Sequence, residues 1–204
     1  MHISEGVLSA PILISGGAVT LCGTIVGLRR LDTDRIMTVS MLTSAFFVAS
    51  LIHVPIGPAS IHLVLNGLLG ILLGWASFPA ILVGLLMQAI FFQYGGLVVL
   101  GVNAANMAVP ALVVYYLVRP LMKRGANEPR FRMLAGFIGG CVAVLLSALC
   151  MALSLAFSDA GFLTTAKITV VANVPVMIIE GVITGFCVSF LLKVYPEIIP
   201  EKKQ

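Results

Sequence analysis

The chain has 204 residues, 60% of them hydrophobic and 10% charged, with a formal net charge of +4. A soluble domain carries about 25% charged residues, so that class is excluded, and no nucleic-acid partner is expected. Ile36 to Val118 is a run of 83 residues without one Asp, Glu, Lys or Arg, which is room for four membrane spans at about 20 residues each.

Residues 1–9 precede the first apolar run. That run has no Lys or Arg before Arg29, whereas a secretory signal peptide opens on a basic stretch and ends on a small-residue cleavage site. The first segment is therefore read as retained. Hydropathy predicts helices over 10–28, 36–53, 60–75, 78–93, 103–118, 132–157 and 169–193. In the first, Gly23 and Gly27 have the G-x-x-x-G spacing that lets helices approach closely, with a helix of this chain or of another subunit as partner. The second is expected to end on His53, and the third to open on "GPASIHLVLNG", which contains His62. Trp75 and Phe78 are placed at the inner end of the third, where aromatic side chains anchor at the interface. The stretch "QYGGLVVLGVNAANM" is apolar and rich in glycine, which permits turns that other residues resist, and a re-entrant or tightly folded loop is expected. The seventh helix carries Glu180, a carboxylate that must be paired or protonated at membrane depth; a structural hydrogen bond is preferred over a proton relay. Cys22, Cys141, Cys150 and Cys187 all lie in apolar segments without C-x-x-C spacing, and read as buried small hydrophobes with no disulfide.

The predicted fold is all-α: a polytopic membrane protein of seven transmembrane helices, forming a single membrane domain over 1–204. With seven spans, eleven of the twelve Lys and Arg residues fall on one side and only Lys167 on the other. Basic loops remain cytoplasmic, so the N-terminus is expected outside and the C-terminus inside, in a multi-pass cell membrane protein. The outer segments are then 1–9, 53–60 and 94–102. The first two, with the start of the third helix, hold His2, His53 and His62, the three histidines of the chain.

A free terminus followed by histidine offers three nitrogens in order: the Met1 amine, the His2 amide and a His2 imidazole nitrogen. Amine and amide close a five-membered ring on a metal, and amide and Nδ1 close a six-membered one. Nickel(II), cobalt(II) and copper(II) suit such an all-nitrogen site. The fourth corner calls for another donor, and imidazole is the commonest. His62 is preferred; His53 is the alternative, or orients a ligand from behind. Ser60, Asn103 and Asn106 are candidate supporting residues, the asparagines either bonding the ligand loops or bridging helices. Thiolate sites are disfavoured because the cysteines lie elsewhere. No phosphate-cradling G-x-x-x-x-G-K-[ST] loop is present, and no catalytic cofactor is expected.

These residues resemble a known family. "MHISEG" is similar to the M-H-I-x-E/D-G opening of the CbiM/NikM family, the substrate-binding membrane components of energy-coupling-factor transporters for cobalt and nickel. "VPIGPASIHLVLNGLLGILLG" resembles its P-I-x-G stretch followed by a histidine, and "MQAIFFQYGGLVVLGVNAANMA" its third signature. The family often has a small pair soon after that histidine, where this chain has Leu63, Val64 and Leu65. The resemblance implies uptake of nickel(II) or cobalt(II) in a bacterial or archaeal cell membrane, with Met1, His2 and His62 as ligands. It also implies partners: a transmembrane coupling (T) subunit, two ATPase (A) subunits that hydrolyse ATP, and often a further small membrane subunit. The chief rival reading is a self-sufficient metal channel or secondary transporter. Such transporters often show internal repeats and midplane charges, and here no clear repeat is seen and only Glu180 is deeply placed. An intramembrane metalloenzyme ranks last, since catalytic zinc wants three protein ligands and usually a general base.

Overall fold

The structure is a computed structural model that describes residues 2–51, 53–56, 59–124 and 128–195, with the backbone alone at 53–56, 59–62 and 123–124. Among them are eight α-helices: α1 (Ala10–Arg29), α2 (Ile36–Ala49), α3 (Asn66–Leu73), α4 (Ser77–Phe92), α5 (Leu100–Arg124), α6 (Pro129–Ser158), α7 (Leu163–Ala172) and α8 (Val174–Val194). Proline opens α1, α6 and α8, where its missing N–H would have no helical partner anyway.

Two predicted boundaries fail for the same reason. The second helix stops at Ala49 rather than 53, and the third begins at Asn66 rather than 60. Between them lie β1 (His53–Ile56) and β2 (Ala59–His62), an antiparallel pair in the register His53↔His62, Val54↔Ile61, Pro55↔Ser60 and Ile56↔Ala59. The sequence "HVPIGPASIH" contains two prolines and a glycine; proline lacks the N–H a helix needs and clashes with the preceding turn. His53 and His62 thus sit on strands, not at helix ends. The seventh predicted helix is also interrupted. It starts early, at Leu163, and breaks at Asn173, two residues before Pro175.

Five helical stretches are long and apolar enough to cross a membrane: Ala10–Arg29, Asn66–Phe92, Leu100–Met122, Pro129–Ser158 and Ala160–Val194. The second of these doubles back. Gly74 has φ +57°, a left-handed value open to glycine, and the neighbours on either side reveal the reversal. Asn66, Gly70 and Gly74 lie against Met107, Ala111 and Tyr115, so α3 runs parallel to α5. Beyond the turn, Phe78 packs on Gly23, Phe46 on Gly84, and Gln88 bonds Ser50, so α4 returns alongside α2. From α2 to α5, successive helices therefore alternate in direction.

The core is centred on α3. All its residues, "NGLLGILL", are buried, as expected of a helix that is apolar on every face. Around it, α6 meets α8 glycine to glycine: a Cβ on Gly136 would lie 2.9 Å from the Gly185 Cα, and one on Gly140 2.9 Å from the Gly181 Cα. On α1, Gly23 and Gly27 receive Phe78 and Pro79, so their partner is a helix of this chain. Trp75 stacks on Phe78 with ring centroids 6.1 Å apart, beneath the Arg30 guanidinium. The four cysteines are free, but none is buried: Cys22 is exposed and the other three are half-buried, as befits small apolar side chains facing lipid as well as helices.

Candidate metal-binding end of the bundle

At the end of the bundle where α1, α3 and α5 begin, the segment 2–9 lies on the residues that enter α5. Ile3 is 3% exposed and Leu8 is also buried; they share a small apolar cluster with Val99, Val102, Leu155 and Ala166. That anchor places the polar backbone of the segment where it must find partners. Asn103 supplies them in both directions: the Ile3 N–H donates to its Oδ1 at 3.0 Å, and its Nδ2 donates to the Ile3 carbonyl at 3.1 Å. Further along, the Val98 N–H donates to Glu5 Oε1 at 3.0 Å, and the Ser9 N–H to Ser158 Oγ at 3.2 Å.

The loop that carries these partners is built by two glycines. Gly95 has φ +77° and Gly96 φ +124°, and a Cβ on Gly95 would come within 2.9 Å of Asn103 Nδ2, while one on Gly96 would run into the Glu5 side chain. Backbone freedom and close approach are both required here. The turn presents Tyr94, on which the His2 ring stacks with centroids 6.1 Å apart and planes at 16°. Tyr94 in turn stacks on Phe92. His2 is thereby oriented from below by an aromatic pair and, through Ile3, by Asn103.

The hairpin brings the two remaining histidines directly opposite one another, so the backbone places both rivals for the fourth ligand at one register position. Met1 lies outside the described residues, as do the side chains of His53, Ser60 and His62. Among the described residues, no three His, Cys, Asp or Glu side chains converge in a metal-binding group.

The candidate supporting residues separate. Asn103 reaches the terminal segment. Asn106 does not: its Oδ1 accepts from Ser154 Oγ at 3.3 Å, bridging α5 to α6. Asn66 likewise bridges helices, donating to the Met107 carbonyl at 3.2 Å and to Ser147 Oγ at 2.8 Å. Glu180, fully buried, accepts from the backbone N–H groups of Val64 and Leu65, the latter at 2.9 Å from Oε1 and 3.0 Å from Oε2. The preference for a structural hydrogen bond at Glu180 matches this arrangement. Leu65 has φ +48°, a left-handed value that costs a non-glycine residue roughly 1–2 kcal/mol. Tyr94 was not singled out by sequence reasoning, although it stands inside the "QYGG" of the third motif.

The CbiM family model, described as a cobalt uptake substrate-specific transmembrane region, matches residues 2–198. A metal-transport relative from Haemophilus influenzae is 42% identical over 201 residues, covering 98% of this chain and 97% of its own. The fused nickel transport protein NikMN of Rhodobacter capsulatus is 34% identical over 229 residues, covering 100% of this chain and 65% of that protein. Among solved structures, a transition metal transporter superposes with a TM-score of 0.79 at 29% identity, covering 97% of this chain and 95% of that one.

Proposed function

The chain belongs to the CbiM family, and from that premise we propose that it captures nickel(II) or cobalt(II) at the outer membrane face, through the Met1 amine, the His2 amide and imidazole, and the His62 imidazole. At the coarser level it is a membrane component of cobalt and nickel uptake, not an enzyme. In the proposed topology α1 to α6 make one crossing each and α7 with α8 make a seventh as one broken span, with the terminal segment 1–9 outside and the C-terminus in the cytoplasm, as one domain of the cell membrane. Energy comes from partners: a T subunit and two A subunits that hydrolyse ATP, with or without a small further membrane subunit.

The two-way bond between Asn103 and Ile3 is the observation that carries this reading. A terminus that serves only as a chain end has no need of a buried asparagine. A terminal chelate does, because three nitrogens on a mobile tail would lose conformational entropy on every binding event. The stacking of His2 on Tyr94 restrains the ring in the same way.

The test is titration of nickel(II) or cobalt(II) into the purified, untagged chain. Tight binding is expected, and acetylation of the terminus or addition of one residue before Met1 should abolish it. Retention of tight binding by the acetylated chain would overturn the chelate. Uptake at full rate in cells lacking ATPase and coupling subunits would instead overturn the energy-coupled mechanism and favour a self-sufficient transporter.

A further inference from the structure

We infer that Glu180 is a positioning residue for the metal site: from α8, it holds the backbone that leaves His62 and so sets where that histidine stands. The inference rests on the assignment of His62 as a ligand. His62 ends β2, and α3 begins only at Asn66. Three residues join them, and the N–H groups of two of these, Val64 and Leu65, donate to the same carboxylate. Two residues of chain span at most about 7 Å, so pinning Val64 confines His62 to a short tether. The carboxylate comes from 115 positions downstream of Leu65 and is fully buried. Among the described residues it takes these N–H groups and no cationic side chain. A carboxylate at membrane depth is expensive and is expected to serve a function. Here its oxygens are spent on an irregular stretch of backbone that would otherwise leave donors unsatisfied in the interior. The strand on the other side of the hairpin is approached through α2, where Ser50, buried, accepts from Gln88 Nε2 at 2.6 Å. Both roots of the hairpin are therefore held by buried polar side chains, and the root nearer His62 is held by Glu180.

This role depends on reach more than on charge. A glutamine keeps an oxygen in place to accept from Val64 and Leu65, whereas an aspartate keeps the charge and withdraws it by one methylene. The untagged full-length chain, in detergent, is titrated with nickel(II) alone as wild type, E180Q, E180D, H62A and the E180D/H62A double variant, with affinity and the nickel absorption spectrum recorded. Removing a group that orients a ligand typically weakens metal binding by about 10–100-fold, and that loss is expected for E180D and a much smaller one for E180Q. The E180D spectrum should move toward that of H62A, and the double variant should bind no more weakly than H62A. Wild-type binding by E180D, or losses that multiply in the double variant, would overturn the role of Glu180 while leaving His62 as ligand. Wild-type binding by H62A would overturn the ligand assignment and the role with it. The inverse order, E180D tight and E180Q weak, would mean that charge rather than reach matters, and would also overturn it. Hydrogen exchange on the wild-type chain provides a check free of substitution: the Val64 and Leu65 amides should be protected, and rapid exchange at both would sink the proposal.

Discussion

Asn103 and Ile3 exchange two hydrogen bonds across a sequence separation of 100 residues, the Ile3 N–H donating to Oδ1 and Nδ2 donating to the Ile3 carbonyl. Both residues are buried. Asn103→Ala orphans both backbone groups, and an unsatisfied buried donor or acceptor costs about 1–3 kcal/mol. Metal affinity is expected to fall by about tenfold for each 1.4 kcal/mol that reaches the bound state. Titration calorimetry measures the loss, and hydrogen exchange at Ile3 should accelerate in parallel. Unchanged exchange and affinity would mean that the segment is held by its apolar contacts alone.

Gly96→Ala probes the same junction from the loop. The added Cβ meets the Glu5 side chain, and φ +124° is a region L-residues rarely adopt. The Glu5–Val98 bond should break and the terminal segment loosen, so nickel binding weakens although no ligand has been touched. Wild-type affinity in a folded Gly96→Ala chain would show that this loop does not support the site.

Tyr94→Leu removes the ring beneath His2. Aromatic stacking contributes about 0.5–1.5 kcal/mol beyond area burial, so a loss of several-fold in affinity is expected, milder than for His2→Ala, which should abolish tight binding. A Tyr94→Phe chain, which keeps the ring, should fall between wild type and Tyr94→Leu. If it binds as weakly as Tyr94→Leu, the hydroxyl rather than the stack is what counts.

Metal affinity should rise with pH across the range in which the donors lose protons. An α-amine titrates near 7.7–8.0 and an imidazole near 6.5, and both must be deprotonated to bind. The apparent Kd is therefore expected to increase on acidification below about pH 8. Proton release measured in buffers of different ionisation enthalpy should exceed one per ion. A pH-independent Kd would exclude amine and imidazole as ligands.

Gly67→Ala tests the packing of α3 in the core. The new Cβ would lie 2.9 Å from the Gly140 Cα, where α3 crosses α6. Overpacking of this kind costs about 1–3 kcal/mol, and the melting temperature in detergent should fall. An unchanged melting temperature would mean that α3 can shift without cost.

Composition and spacing were enough to identify a polytopic helical membrane protein, because an 83-residue run without charge has no other stable setting. The same is true of the approximate helix positions, which follow from apolar runs between basic loops. The prominence of His2 was legible too, since position 2 alone joins an amine, an amide and an imidazole in consecutive chelate rings. Local proline content could have revealed the hairpin, but the length of its apolar flanks outweighed it, so His53 and His62 were assigned to helices.

What the linear chain cannot display is which polar side chain meets which backbone group. Asn103 and Asn106 look alike in "GVNAANM", three residues apart on one helix. Yet one binds the terminal segment and the other bridges to Ser154, because on one face of α5 they stand at heights about 4.5 Å apart and meet different neighbours. Glu180 reads as an isolated membrane carboxylate until α8 is packed against the start of α3. Sequence by itself therefore determined the solvent of this protein, its apolar segments and its candidate donor atoms, all of which depend on local chemistry. Only the tertiary structure decided which residues hold those donors, because bonds such as Asn103–Ile3 and Glu180–Leu65 join positions 100 and 115 residues apart, and apolar packing, not sequence proximity, brings them together.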